Sequence, residues 1–128
     1  MNHKLLKSLN SIFGRALRPD RIIVGEVRGP EALDMLKAWN TGHPGGIATV
    51  HANGAGAALY RLEQLVQEAV VTVPRRLIAE AIDMIVFIAG RGTARRIDAL
   101  ARVAGLEADG GYALVDLIPD QPCTTEGD

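Results

Sequence analysis

The sequence predicts an α/β fold built on a parallel sheet. Three observations carry that expectation. Short β-branched or apolar runs recur at residues 21–24, 47–51 and 85–88. Stretches with apolar residues at helical spacing separate them. Gly and Pro punctuate the joins. Strands that alternate with helices are connected by crossovers, which is how parallel sheets are wound.

The elements follow in order. Leu5, Leu6, Leu9, Ile12, Phe13, Ala16 and Leu17 lie on one helical face, with Lys4, Lys7, Asn10, Ser11 and Arg15 opposite. Residues 1–17 are therefore expected to form an amphipathic N-terminal helix, packed on a sheet in preference to lying on a membrane. Pro19 ends it. Arg21-Ile22-Ile23-Val24 reads as a strand buried on both faces. Gly29-Pro30-Glu31 opens a helix, since Pro suits the first helical position and an acid suits its positive end. Leu33, Leu36 and Trp39 form its inner stripe, and Gly42 can stop it. Residues 47–51 form a second strand. A helix over about 56–69 turns Leu59, Leu62, Leu65 and Val66 inward. Pro74 opens another helix, with Leu77, Ile78, Ala81 and Ile82 inward. Residues 85–88 read as a third buried strand. Residues 95–103 alternate like a strand, yet their Ala, Arg and Leu content also suits a helix. Asp109-Gly110-Gly111 is a turn signal followed by alternation over 112–118, so a β-hairpin is expected.

Composition bounds the function. The 128 residues are 48% hydrophobic and 23% charged, with a net charge of −1. That is an ordinary folded domain. The total charge suggests neither nucleic acid nor an anionic membrane as partner. Residues 1–21 hold Lys4, Lys7, Arg15, Arg18 and Arg21 against one acid, Asp20, and no Lys or Arg follows Arg102. Residues 119–128 are expected to be a disordered, acidic tail. The lone Cys123 cannot form an internal disulfide, which fits a reducing cytosol. No apolar run approaches the roughly 20 residues that span a bilayer.

Two clusters carry chemistry. The first strand runs into Gly25-Glu26, placing a carboxylate where α/β sheets bind ligands. Such a group can orient water for attack on a phosphoryl centre. A Glu after an apolar strand is, however, ordinarily a surface residue. The second cluster spans residues 41–53, a Gly-rich loop around His43 leading through Thr49 to His51. If the two strand ends are adjacent, His51 meets Glu26 and can donate a hydrogen bond to a phosphate or water. It can equally be a structural His at a strand end. A metal site from His43, His51 and Glu26 is the minor alternative, since no helical His pair or Cys ligand accompanies them.

Taken together, residues 18–29 resemble the Walker B segment of the type II/type IV secretion ATPase superfamily, with Gly25-Glu26 where many ATPases have Asp-Glu. Residues 41–53 resemble that family's His box. The segments 61–69 and 73–83 resemble the conjugal-transfer ATPases of the TrbB type. The likeness covers about residues 15–118. It implies that residues 18–118 are the C-terminal half of a RecA-like ATPase domain, with the hairpin at its end. It implies roles for Glu26 in positioning the attacking water, for His51 in reporting nucleotide state, and for Arg28 in ordering the site; the bland reading of Arg28 is a surface ion pair. Gly25, Thr49 and His43 would lie near the nucleotide. Further implications are ATP and Mg²⁺ as ligands, a hexameric homo-oligomer, inner-membrane secretion or conjugation components as partners, and a place on the cytoplasmic face of that membrane. No direct nucleic-acid binding and no resident metal site are expected.

The family's phosphate-binding loop, G-x-x-x-x-G-K-[ST], is not among these 128 residues. Of the three lysines only Lys7 precedes a Ser, and no glycine precedes it. The expectation is a truncated product, a misassigned start or a fragment that binds neither ATP nor Mg²⁺ alone. The alternative function is a non-catalytic remnant that docks on intact subunits. Gly54 stands where relatives often carry Ser, a modest loss of helix capping.

Overall fold

A computed structural model describes residues 23–41 and 45–118. The helix expected over 1–17, the tail over 119–128, Gly42 and His43 lie outside the described residues.

The described chain forms β1 (Ile23–Val24), α1 (Glu31–Thr41), β2 (Ile47–Ala48), α2 (Ala55–Gln67), α3 (Arg75–Ala81), β3 (Met84–Ala89), a 3₁₀ turn (Gly92–Ala94), β4 (Arg96–Leu106) and β5 (Tyr112–Asp116). β1 and β2 pair in parallel, Ile23 with Ile47 and Val24 with Ala48. β3, β4 and β5 form a separate antiparallel sheet in that order. The fold is thus α/β, with a parallel pair joined by a helical crossover and an antiparallel C-terminal sheet.

The helices follow from their apolar spacing. Leu59, Leu62, Leu65 and Val66 of α2 are all buried, as are Leu33 and Leu36 of α1. Ala32, Met35, Ile78, Val27 and Val103 complete the central cluster. Each large aliphatic side chain so buried contributes about 1.5–3 kcal/mol of transfer free energy. α1, α2 and α3 pack on one another, while α2 and α3 also touch the antiparallel sheet. Trp39, Leu77, Ala81 and Ile82 are partly buried against this core.

Three expectations are corrected. Residues 85–88 do not join the parallel sheet: β3 pairs antiparallel with β4. Its side chains alternate, with Met84, Val86 and Ile88 about half exposed. The reason is the tight return at Gly90, whose φ of 87° suits glycine; a Cβ there would collide with the Ala94 carbonyl. The chain therefore folds straight back into β4 and takes no crossover. The β1 strand is not buried on both faces, because Ile23 is 69% exposed beside Ile47 at 63%. Among the described residues only the Val24 and Ala48 side of that pair meets the core. The second strand is also shorter than 47–51, its ladder ending at Ala48.

The ambiguous stretch 95–103 is a strand. Pairing with β3 on one edge and β5 on the other outweighs its helical propensity. Between β4 and β5, Gly110 takes φ 87°, and Asp109 Oδ1 accepts a bond from the Gly111 amide at 2.9 Å. Among the described residues no helix is long and apolar enough to cross a membrane.

Candidate functional site

Two parallel strands that end together bring their following residues side by side. Beyond the β1–β2 ladder the pairing continues, with the Val27 amide donating to the Thr49 carbonyl at 2.8 Å. The Thr49 hydroxyl donates to the Gly25 carbonyl. These two bonds tie the segment after β1 to the segment after β2.

The in–out alternation of an extended chain does the rest. Val27 is buried at 3%. Glu26 and Arg28, on either side of it, point outward on one face and meet. Arg28 Nη2 donates to Glu26 Oε2 at 2.5 Å. From the other strand, His51 Nε2 stands 3.0 Å from Glu26 Oε1. The carboxylate is thus bridged by one partner per oxygen.

The electrostatics follow. The Arg28 hydrogen bond, helped by the charges of Arg28 and His51, holds the Glu26 carboxyl below its usual range against the opposing effect of partial desolvation. Glu26 in turn raises Arg28 above its ordinary value. A carboxylate has about four acceptor positions. His51 and Arg28 occupy two, so a water can still be received and oriented. An ionised, cation-paired carboxylate is a weak base, better suited to positioning than to full proton removal.

Glu31 supports this arrangement, and the sequence reading gave it no more than a helix-start role. Its Oε1 accepts the amides of Arg28 and Gly29 at 3.0 and 3.1 Å. The start of α1 is thereby folded back on the loop that carries Arg28. Side chains at a helix start bonding nearby amides are a common device, so an acid just past Gly29-Pro30 was a readable signal.

Of the expected site residues, Gly25, Glu26, Arg28, Thr49 and His51 come together; His43 lies outside the described residues. No group of three potential metal ligands occurs among the described residues.

A second polar cluster was not anticipated. Glu63 of α2 is 8% exposed. Arg75 Nε of α3 lies 2.7 Å from its Oε1, and the Tyr112 hydroxyl of β5 donates to the same oxygen at 2.7 Å. Arg75 also donates to the Gly110 carbonyl at 3.1 Å. Tyr60 stacks edge-on with Tyr112, ring centroids 5.5 Å apart. This cluster clasps the hairpin to the helices, and no local charge pattern signals it, since Glu63 and its partners are 12 and 49 residues apart.

Comparisons with known proteins assign the chain to a family. The family described as type II/IV secretion system protein matches residues 3–100. The conjugal transfer protein TrbB of Rhizobium radiobacter is 55% identical over 89 residues, 70% of this chain and 28% of that protein. A probable conjugal transfer protein TrbB of Sinorhizobium fredii is 51% identical over 98 residues, 77% of this chain and 30% of that protein. The VirB11 ATPase of the Brucella suis type IV secretion system, solved in complex with sulphate, matches with a TM-score of 0.65 and 28% identity. That match covers 75% of this chain and 31% of the solved one. The chain thus spans under a third of the length of these relatives. With the family match extending over most of its residues, the chain belongs to the type II/IV secretion system protein family.

Proposed function

We propose that this chain is the water-positioning part of an ATPase that powers conjugal transfer or type IV secretion. The observation that carries the reading is the Glu26 carboxylate, bridged by Arg28 and His51 at the C-terminal edge of two parallel strands. In such sheets that edge is where ligands bind. Glu26 fills the role of a Walker B glutamate, orienting the water that attacks the terminal phosphoryl group. His51, within hydrogen-bond reach of it and 92% exposed, senses whether a nucleotide phosphate is present. Arg28 orders the carboxylate. Gly25 and Thr49 lock the two strand ends, and His43 is taken as a further nucleotide contact.

ATP and Mg²⁺ belong to this reading as ligands of the assembled protein. The described residues do not fit them unaided. Phosphate binding takes a row of backbone amides at a helix start and a Lys. The residues gathered around Glu26 instead present a carboxylate whose neighbouring cation is already engaged. A hexameric ring on the cytoplasmic face of the inner membrane, working with secretion or conjugation components, completes the proposal. The second reading, a non-catalytic fragment that docks on intact subunits, is favoured by one observation: these 128 residues contain no phosphate-binding loop.

The test uses the Rhizobium radiobacter TrbB with this segment in place of its own. Glu26→Gln keeps the shape of the side chain but weakens its hold on the water's proton. ATP turnover is expected to fall about a hundredfold or more while ATP binding persists. Turnover within about twofold of the parent removes Glu26 from the reaction. Wild-type turnover with a dead Glu26→Gln variant removes the non-catalytic reading.

A further inference from the structure

We infer that Glu31 is a positioning residue for the Glu26 site: by accepting the amides of Arg28 and Gly29 it fixes the backbone that aims the Arg28 guanidinium at the Glu26 carboxylate. The effect on turnover rests on the proposed function. The hold on Arg28 needs no nucleotide. The Arg28 side chain is 78% exposed. An exposed ion pair is weak, and a long side chain has many rotamers to leave it for. The pair with Glu26 therefore depends on a backbone that presents Arg28 at the right angle. That backbone is pinned from both sides. Before Arg28, Val27 is buried and its amide donates to the Thr49 carbonyl at 2.8 Å. After it, Glu31 Oε1 accepts the Arg28 and Gly29 amides at 3.0 and 3.1 Å.

Glu31 is more than an acid at a helix start. The helix dipole favours a carboxylate there whatever it touches. Glu31 instead turns Oε1 back on two amides that precede α1. Its Oε2 is buried and has no hydrogen-bond partner among the described residues. An unbonded buried oxygen costs stability, and an acid serving the dipole alone would leave it in water. Gly29 gives this oxygen its room: a Cβ there would stand 2.9 Å from Glu31 Oε2 and 3.5 Å from Glu68 Oε2. The next residues of α1, Ala32, Leu33, Met35 and Leu36, are core. Glu31 thus ties the aim of an exposed Arg to a helix that cannot shift freely.

One substitution separates the two roles. Glu31→Gln removes the charge but keeps an acceptor oxygen for the two amides, and it puts an amide nitrogen in place of the unpartnered oxygen. Glu31→Ala removes both charge and acceptor. If the charge matters, both variants fail. If the acceptor matters, Gln stands in for Glu. The Glu26 carboxyl reports the difference. Arg28 and His51 are the groups paired with it, and the Arg28 hydrogen bond is the leading reason that it lies below its usual range. Loss of a neighbouring negative charge alone would lower the Glu26 midpoint further. A rise can therefore come only from Arg28 or His51 drawing away.

The test has two arms. In the full 128-residue chain, the Glu26 carboxyl carbon is followed by NMR through a pH titration. Glu31→Ala is expected to move its midpoint up towards the ordinary carboxylate range, whereas Glu31→Gln does not raise it. In the Rhizobium radiobacter TrbB carrying this segment, Glu31→Ala is expected to lower kcat about tenfold or more with KM for ATP within about twofold, and Glu31→Gln to keep kcat within about twofold of the parent. Three outcomes overturn the inference. One is a Glu26 midpoint that stays or falls in Glu31→Ala. Another is a Glu31→Gln variant that raises the midpoint or loses turnover, which decides the matter even where the Ala variant does not fold. The third is parental kcat in Glu31→Ala TrbB when Glu26→Gln abolishes turnover. A raised midpoint in Glu31→Ala, with Glu26→Gln TrbB still turning over as the parent does, sinks the ATPase reading and leaves the hold of Glu31 on Arg28 standing.

Discussion

Glu26 and His51 were legible because each ends an apolar run, and a polar residue at a strand's end has few places to go but the sheet edge. Glu63 was illegible. A Glu on a helix is ordinarily solvated, and nothing nearby in sequence names Arg75 or Tyr112 as its partners. Its burial has a measurable consequence. Burial first, and then the hydrogen bond and charge of Glu63, push the Tyr112 phenol well above its ordinary value of about 10. The folded state therefore holds this proton more tightly than the unfolded state does. Tyr112 contributes stability that is complete below pH about 10 and declines as the pH rises past it. Tyr112→Phe is expected to cost about 1.5 kcal/mol or more at neutral pH, since Glu63 loses a donor. It is also expected to flatten the stability profile between pH about 9 and 11. Urea unfolding across that range checks both. An alkaline decline as steep in the variant as in the parent would assign it to other groups.

At the level of elements, the helices were read from spacing alone. Leu59, Leu62, Leu65 and Val66 are the inward stripe of α2, and its bounds shifted by no more than two residues from the 56–69 expected. The strands were harder. A six-residue apolar run such as 84–89 has no period that separates a buried parallel strand from an edge of an antiparallel sheet; its partner was decided by the return at Gly90. The start of α2 exposes a gap that a substitution can fill. Gly54 precedes the helix with no side-chain cap, in extended backbone that any residue adopts. A Cβ added there meets nothing within 4 Å. A Ser hydroxyl can accept one of the free first-turn amides, and the change also lowers the freedom of the unfolded chain. Gly54→Ser is expected to raise stability by about 0.5–1 kcal/mol, a melting temperature higher by about 2–5 °C. A thermal melt followed by circular dichroism reads this directly, and an unchanged or lower midpoint would show that the hydroxyl does not reach those amides.

Across the whole molecule, the strand ends gather Glu26, Arg28 and His51, while a phosphate-gripping loop is not among the 128 residues. The isolated chain is therefore expected neither to bind nor to hydrolyse ATP measurably. ATP is recognised largely through its phosphates, which need aligned backbone amides and a Lys. The groups on hand are Arg28 and His51, and both are engaged by Glu26. Even if both turned to the phosphates, two charge-assisted contacts of about 1.5–3 kcal/mol each would face an association cost of about 4 kcal/mol or more. Breaking the Arg28–Glu26 pair to free them also leaves a bare carboxylate beside the γ-phosphate, which repels it. The most favourable balance, about 2 kcal/mol, corresponds to a dissociation constant of about 30 mM or weaker. Calorimetric titration of the chain with Mg-ATP measures it. A constant in the low micromolar range would reveal a phosphate site elsewhere in the chain and would overturn the proposed division of labour, in which Glu26, Arg28 and His51 act only on a nucleotide that another segment holds.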